Sequence, residues 1–147
     1  MIKSEIHKKA LEMVQVKLAE LEAHYRDLQE GQSSNTKSTA GDKHDTEREM
    51  VQAELNNYSR QIQVQKQNLN SLKSIDPSPK SRVEKGALVQ TAKGFFYISI
   101  PLGKIEVEGE KVWMISAASP IGQALTGKKA GEMFELNGVK QEILDVF

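Results

Sequence analysis

Two stretches of the N-terminal half space apolar residues by alternating steps of three and four, and this pattern most limits what the chain can become. Leu11, Val14, Leu18, Leu21, Tyr25 and Leu28 form the first stripe. Val51, Leu55, Tyr58, Ile62, Leu69 and Leu72 form the second, with Gln65 in the one polar place that keeps register. A stripe this narrow is a coiled-coil seam, since a helix packed on a globular core buries a broader face. Neither helix can hide its stripe alone. The polar segment between them is long enough to reverse the chain, so an antiparallel hairpin is expected. Arms of roughly 28 residues would span about 40 Å at 1.5 Å per residue. Tyr25 and Tyr58 are expected to pack in the seam, and Gln65 to set register at some cost in stability.

The turn of that hairpin is less regular. Gly31 to Ala40 is polar and poor in helix formers, so the first helix is expected to end near Glu30, the alternative being that it runs on toward Gly41. Thr46 to Glu49 fits the S/T-x-x-E capping box, and Glu47 complements the positive end of a helix starting there. Within TAGDKHDTEREM, residues 39–50, Asp42 and Asp45 stand three apart. Taken by pattern alone they read first as helix caps, and second as carboxylates presented to hold a cation. Lys37, Lys43 and Arg48 either attract an RNA backbone or belong to a mixed, solvated tip. His44 between them faces the same choice.

The second half changes character. Residues 1–76 hold no proline and two glycines, whereas 77–147 hold all four prolines, the tryptophan and all four phenylalanines. Ser-Ile-Asp-Pro-Ser-Pro, with Pro77 and Pro79, disfavours helix just before it, which puts the domain boundary between 76 and 77. Beyond it, short alternating runs read as strands. GALVQTA and GFFYISI pair around Lys93-Gly94, and KIEVEG and KVWMIS around Glu108-Gly109-Glu110. Ser119 as cap, Pro120 at the first position and Gly127 as terminator mark one short helix. EMFEL and KQEILDVF pair across Asn137-Gly138, a strong hairpin signal. The expected class is α+β: a coiled-coil hairpin, then a small antiparallel sheet with one helix packed on it. Alternation cannot bury Phe95, Phe96, Tyr97 and Trp113 on one face, so some are expected on an exposed side.

Twenty basic and twenty acidic residues balance, so no global field points to nucleic acid or membrane. Without cysteine, disulfides and thiolate metal sites are excluded. No apolar run is long enough for a signal peptide core or a membrane span, and a cytoplasmic location is expected.

The run ISAASPIGQALTGKKAGEMFEL with the later EILDV resembles the C-terminal signature of the bacterial Gre transcript cleavage factors. Ile75-Asp76-Pro77 sits where those factors leave their coiled coil. GDKHDTERE, Gly41 to Glu49, falls at the position of their acidic tip motif, Gly-Asp-Leu-x-Glu-Asn-Ala-Glu-Tyr. The resemblance covers most of the chain and is most specific at its C-terminal end. It implies an FKBP-like second domain, residues 77–147, behind a hairpin of residues 1–76 with its tip near 41–47. It also implies a factor that is not itself an enzyme. The coiled coil would enter the secondary channel of bacterial RNA polymerase, where tip carboxylates help hold a second Mg²⁺ so that the polymerase cleaves backtracked nascent RNA. Asp42 matches the family's tip Asp, and Asp45 stands in place of its Glu. Lys43, His44 and Arg48 would meet RNA or polymerase at the tip. Pro120, Ile121, Lys128 and Lys129 would help dock the second domain. Mg²⁺ would be shared with the polymerase and not held stably by this chain alone, which is expected to be a monomer.

The tip departs from the family at Lys43, Thr46 and Glu49, which replace Leu, Asn and Tyr. A Gre-like channel binder that regulates polymerase without stimulating cleavage is therefore the runner-up. Prolyl isomerisation, for which fold alone is no warrant, and a plain coiled-coil adaptor are more remote.

Overall fold

The computed structural model describes the backbone of residues 3–35 and 42–147, and the side chains of residues 3–31 and 46–147. Two helices come first, α1 (Lys3–Asn35) and α2 (Asp42–Ser74). They are followed by β1 (Leu88–Thr91), β2 (Gly94–Ile98), β3 (Gly103–Val107), β4 (Glu110–Ile115), α3 (Pro120–Leu125), β5 (Met133–Leu136), β6 (Val139–Glu142) and β7 (Asp145–Val146). The chain divides into two compact units, Met1–Leu11 with Asn70–Phe147, and Glu12–Leu69. α2 ends at Ser74 and the strands begin at Leu88, while the two compact units part inside both helices.

Both helices are longer than expected. Each has 33 residues, about 50 Å of helix. α1 runs past Glu30 because nothing from Gly31 to Asn35 forbids it; glycine in a helix costs only about 1 kcal/mol relative to alanine. α2 starts at Asp42, a turn earlier than the Thr46 box indicates. Acidic residues in a first turn favour the positive helix end, and no proline or glycine follows Gly41 until Pro77. Thr46 is thus an internal helical residue and not the cap.

In the Glu12–Leu69 unit the seam is occupied as the spacing requires. Val14, Leu21, Leu55 and Ile62 are buried, and Leu18, Tyr25, Leu28, Val51, Tyr58, Gln65 and Leu69 are half-buried. Apolar residues outside the register, Val16, Met50 and Val64, are exposed. His24 stacks on Tyr58, and one turn further along α1, Leu28 shares a groove with Glu54, one turn back along α2. The chain directions therefore oppose.

In the other unit, five strands form one sheet in the order β3-β4-β2-β1-β7, and β5 pairs with β6 apart from it. The expected small antiparallel sheet with one short helix forms, with two particulars the strand pattern does not specify: the β5–β6 hairpin pairs separately, and β2 runs parallel to β4. The strand sequences explain the order. β2 and β4 carry apolar side chains on both faces, Phe95-Phe96-Tyr97-Ile98 and Val112-Trp113-Met114-Ile115, and so take the centre. β3 alternates Ile105 and Val107 with Lys104 and Glu106, which suits an edge.

Both sheet faces are covered. On one, Val89, Phe96 and Ile98 pack with Leu125, Phe134, Ile143 and Val83, and α3 adds Ile121 and Ala124. On the other lie Leu88, Tyr97, Ile105, Val112 and Met114, all buried, and His7 of α1 reaches Tyr97 there. Each fully buried aliphatic side chain is worth about 1.5–3 kcal/mol. Phe96 and Tyr97 are buried, and Phe95 and Trp113 half-buried. None of the four is left on an exposed side, because a second layer covers each face. Trp113 stacks on Phe96, with ring centroids 5.4 Å apart. A Cβ on Gly94 would meet Trp113 at 2.7 Å, so glycine opens β2. Asn137 and Gly138 both take positive φ, 52° and 79°, the type I′ turn their sequence signals.

Candidate functional site

Asp42, Lys43, His44 and Asp45 begin α2 as helical backbone; their side chains lie outside the described residues, as do Lys37 and Gly41. Positions three apart in a helix are neighbours on one face. The two carboxylate-bearing positions therefore share a helical turn, where the expectation had them in the loop before the helix. Arg48 follows in the next turn and is exposed. Among the described residues no group of three or more His, Cys, Asp or Glu is arranged to hold a metal ion. Two aspartates offer hard oxygen ligands of the kind Mg²⁺ takes, one or two carboxylates with the rest from water and a second molecule.

The positions read for docking surround α3. Ser119 caps it, its Oγ accepting from Gly122 N at 3.1 Å and donating to Ser116 O at 2.7 Å. Pro120 is exposed at the first helical position, and Ile121 is half-buried against the core cluster. Lys128 is half-buried, its backbone held between Leu125 and Val83; Lys129 is exposed, its N–H donating to Glu132 Oε2 at 3.1 Å. A packing role for Ile121 therefore accompanies any surface role of its neighbours.

The start of α1 carries a further set of polar groups. Lys3 is buried, and Nζ donates to Ser78 O, Gly86 O and Phe147 O at 2.8, 2.9 and 3.1 Å. Burial and then the charge of Lys80 hold its pKa below the ordinary lysine value. His7 Nδ1 lies 2.8 Å from Tyr97 Oη. Burial pushes the Tyr97 hydroxyl up to about 12, so it keeps its proton and donates when the neutral ring carries its own proton on Nε2. Lys9 Nζ donates to Glu106 O on the edge strand β3. One signal for this base was in the sequence. Lys3, Ile6 and Ala10 lie off the line of Leu11 and Val14, which broadens the stripe as a globular contact requires.

At the turn after α2, Asp76 Oδ1 accepts from Ser78 N at 3.0 Å and Oδ2 from Ser78 Oγ at 2.9 Å. Those bonds, the backbone one first, hold its carboxyl below the usual range. The Ile-Asp-Pro motif thus fixes how the chain leaves the helix.

In the Glu12–Leu69 unit, His24, Asp27, Leu28, Glu54 and Tyr58 line a groove of about 320 Å³. The heptad spacing marks Tyr58 as seam packing and gives His24, Asp27 and Glu54 no role. No local motif marks such a groove, since it forms only when the helices pair.

No protein-family model matches the chain, and no curated protein matches it significantly. Among solved structures it is similar to the transcription factor Gfh1, with 15% identity, a TM-score of 0.36 and 93% of this chain and 92% of that one covered. It is similar also to Thermus aquaticus Gfh1, at 16%, 0.34, 95% and 94%. A third is GreA factor homolog 1 (Gfh1) of Thermus thermophilus, at 14%, 0.34, 94% and 94%. At TM-scores this low the likenesses carry no argument about what the chain does. Among the described residues no helix is long and apolar enough to cross a membrane.

Proposed function

We propose that the chain is a Gre-type elongation factor that binds bacterial RNA polymerase, its helical pair entering the secondary channel. The observation that carries this reading is the pair Asp42 and Asp45 in the first turn of the second of two long, antiparallel helices. Support comes also from the Gre-like run through α3 and β5, in which Ser119 caps the helix and Pro120 opens it. Asp42 and Asp45 would be ligands for a Mg²⁺ shared with the polymerase; when bound, the ion supplies Lewis acidity and an activated water for phosphodiester cleavage. The chain's own task is delivery: the packed seam keeps the acidic turn on a stiff support. Lys43, His44 and Arg48 would meet RNA or polymerase beside it. Pro120, Lys128 and Lys129 would contact the polymerase from the second unit.

A second reading has a specific observation in its favour. Lys43 and Thr46 replace the family's Leu and Asn, and Asp45 is one methylene shorter than its Glu. On that reading the chain occupies the channel and regulates polymerase without stimulating cleavage. Adding the chain to backtracked elongation complexes separates the two. Short 3′ RNA fragments that disappear with Asp42→Asn, a substitution that keeps capping ability, support cleavage. Inhibition without fragments supports occupancy alone. No effect on polymerase by either protein rejects both.

A further inference from the structure

The groove on the paired helices has the chemistry of a guanidinium receptor. Its lining includes exposed His24 stacked on half-buried Tyr58, with planes 17° apart and centroids separated by 5.9 Å. Contacting carbons lie about 3.5–4.0 Å apart, so rings this far apart are slid past each other and part of each face stays uncovered. Asp27 and Glu54, both exposed, line the same groove, one from each helix, and Leu28 adds an apolar side chain. Among the described residues the ion pairs belong to Lys80, with Asp76 and Glu84, and neither groove carboxylate is in one. About 320 Å³ is at the small end of binding pockets, which fits a side chain better than a folded element.

Charge and shape select the occupant. Two carboxylates repel a phosphate backbone, which disfavours RNA. A lysine ammonium would pair as a point charge and cover less of the ring faces than a planar group. Arginine is planar, stacks on aromatic faces and offers several donors to carboxylates at once. We propose that this groove takes up an arginine side chain presented by the protein wall that the helical pair enters, stacked at His24–Tyr58 and paired with Asp27 and Glu54. The proposal rests on the polymerase reading above. It adds a contact on the flank of the helices that is independent of the tip carboxylates.

The test uses the full chain, fluorescently labelled, titrated with purified bacterial RNA polymerase. The D27N/E54Q double variant should bind on the order of tenfold more weakly, the sum of two pairs assisted by stacking. The difference should shrink as salt is raised, and the helical signal and thermal midpoint should stay at wild-type values. A photo-crosslinker replacing the exposed Asn57, next to the groove, should attach to a polymerase peptide that contains arginine. If the wild type binds and D27N/E54Q binds equally well, the groove proposal is wrong and the polymerase reading stands. A crosslink to RNA, or to a peptide without arginine, also overturns it. If the wild type does not bind polymerase, both fall together.

Discussion

His7 illustrates how one partly buried ring ties acidity to folding. Burial holds its pKa below the ordinary value; a hydrogen bond to the Leu72 backbone opposes that, and the charge of Lys3 adds to it. Protonation would also put a proton on Nδ1, which faces the Tyr97 hydroxyl at 2.8 Å. The unfolded ring takes up its proton near pH 6.5, whereas the folded ring resists until the pH is lower. Between those values the unfolded chain binds more protons, so stability falls with acid. The contribution is complete above about pH 6.5 and is lost as pH falls through the folded value. The thermal midpoint should therefore drop more for the wild type than for His7→Gln between about pH 7.5 and 5.5. Equal slopes in the two melting series would show that His7 carries none of the linkage.

At the scale of elements, what could be read from the sequence was what local periodicity encodes. In the Glu12–Leu69 unit the seam from Val14 to Leu28 and from Val51 to Leu69 forms as spaced, and Asn137-Gly138 turns where it stands. α1 takes the longer of its two possible ends and α2 starts before the Thr46 box because Gly31 and Thr46 are weak signals, each outweighed by helix propagation. The parallel pairing of β2 with β4 was not legible at all. It depends on which strands are apolar on both faces, a property of the assembled layers. The groove at Tyr58 was hidden likewise, because its two carboxylates come from different helices. Gln65 offers a test of the seam itself. It is half-buried at a position whose register neighbours are apolar, so Gln65→Leu should stabilise by about 1 kcal/mol. That corresponds to a rise of several degrees in the thermal midpoint, measured by helical circular dichroism. A fall instead would mean that the glutamine amide is held by partners in the seam. A rise accompanied by self-association would reveal its part in fixing register.

For the whole molecule, the proposed activity makes a demand that the fold alone does not. A stiff helical pair can deliver carboxylates, but metal ligation also depends on reach, and Asp45 is one methylene shorter than the glutamate it replaces in the Gre pattern. Mg²⁺ demands near-ideal octahedral geometry at about 2.0–2.1 Å, so a methylene is large on the scale that matters. If shortened reach is what limits cleavage, Asp45→Glu should increase RNA fragment release from backtracked complexes and lower the Mg²⁺ concentration needed for half-maximal release. The change should be about tenfold or less, the scale of one imperfectly placed ligand at 1.4 kcal/mol per decade. Polymerase affinity should be unchanged, since charge and helix position are preserved. Asp42→Asn in the same background should abolish the gain, because the longer side chain would then have no partner carboxylate. If Asp45→Glu binds as before yet releases no more RNA than the wild type, reach is not the limitation. The substitutions at Lys43 and Thr46 then become the difference to explain, and the channel-occupying reading gains ground.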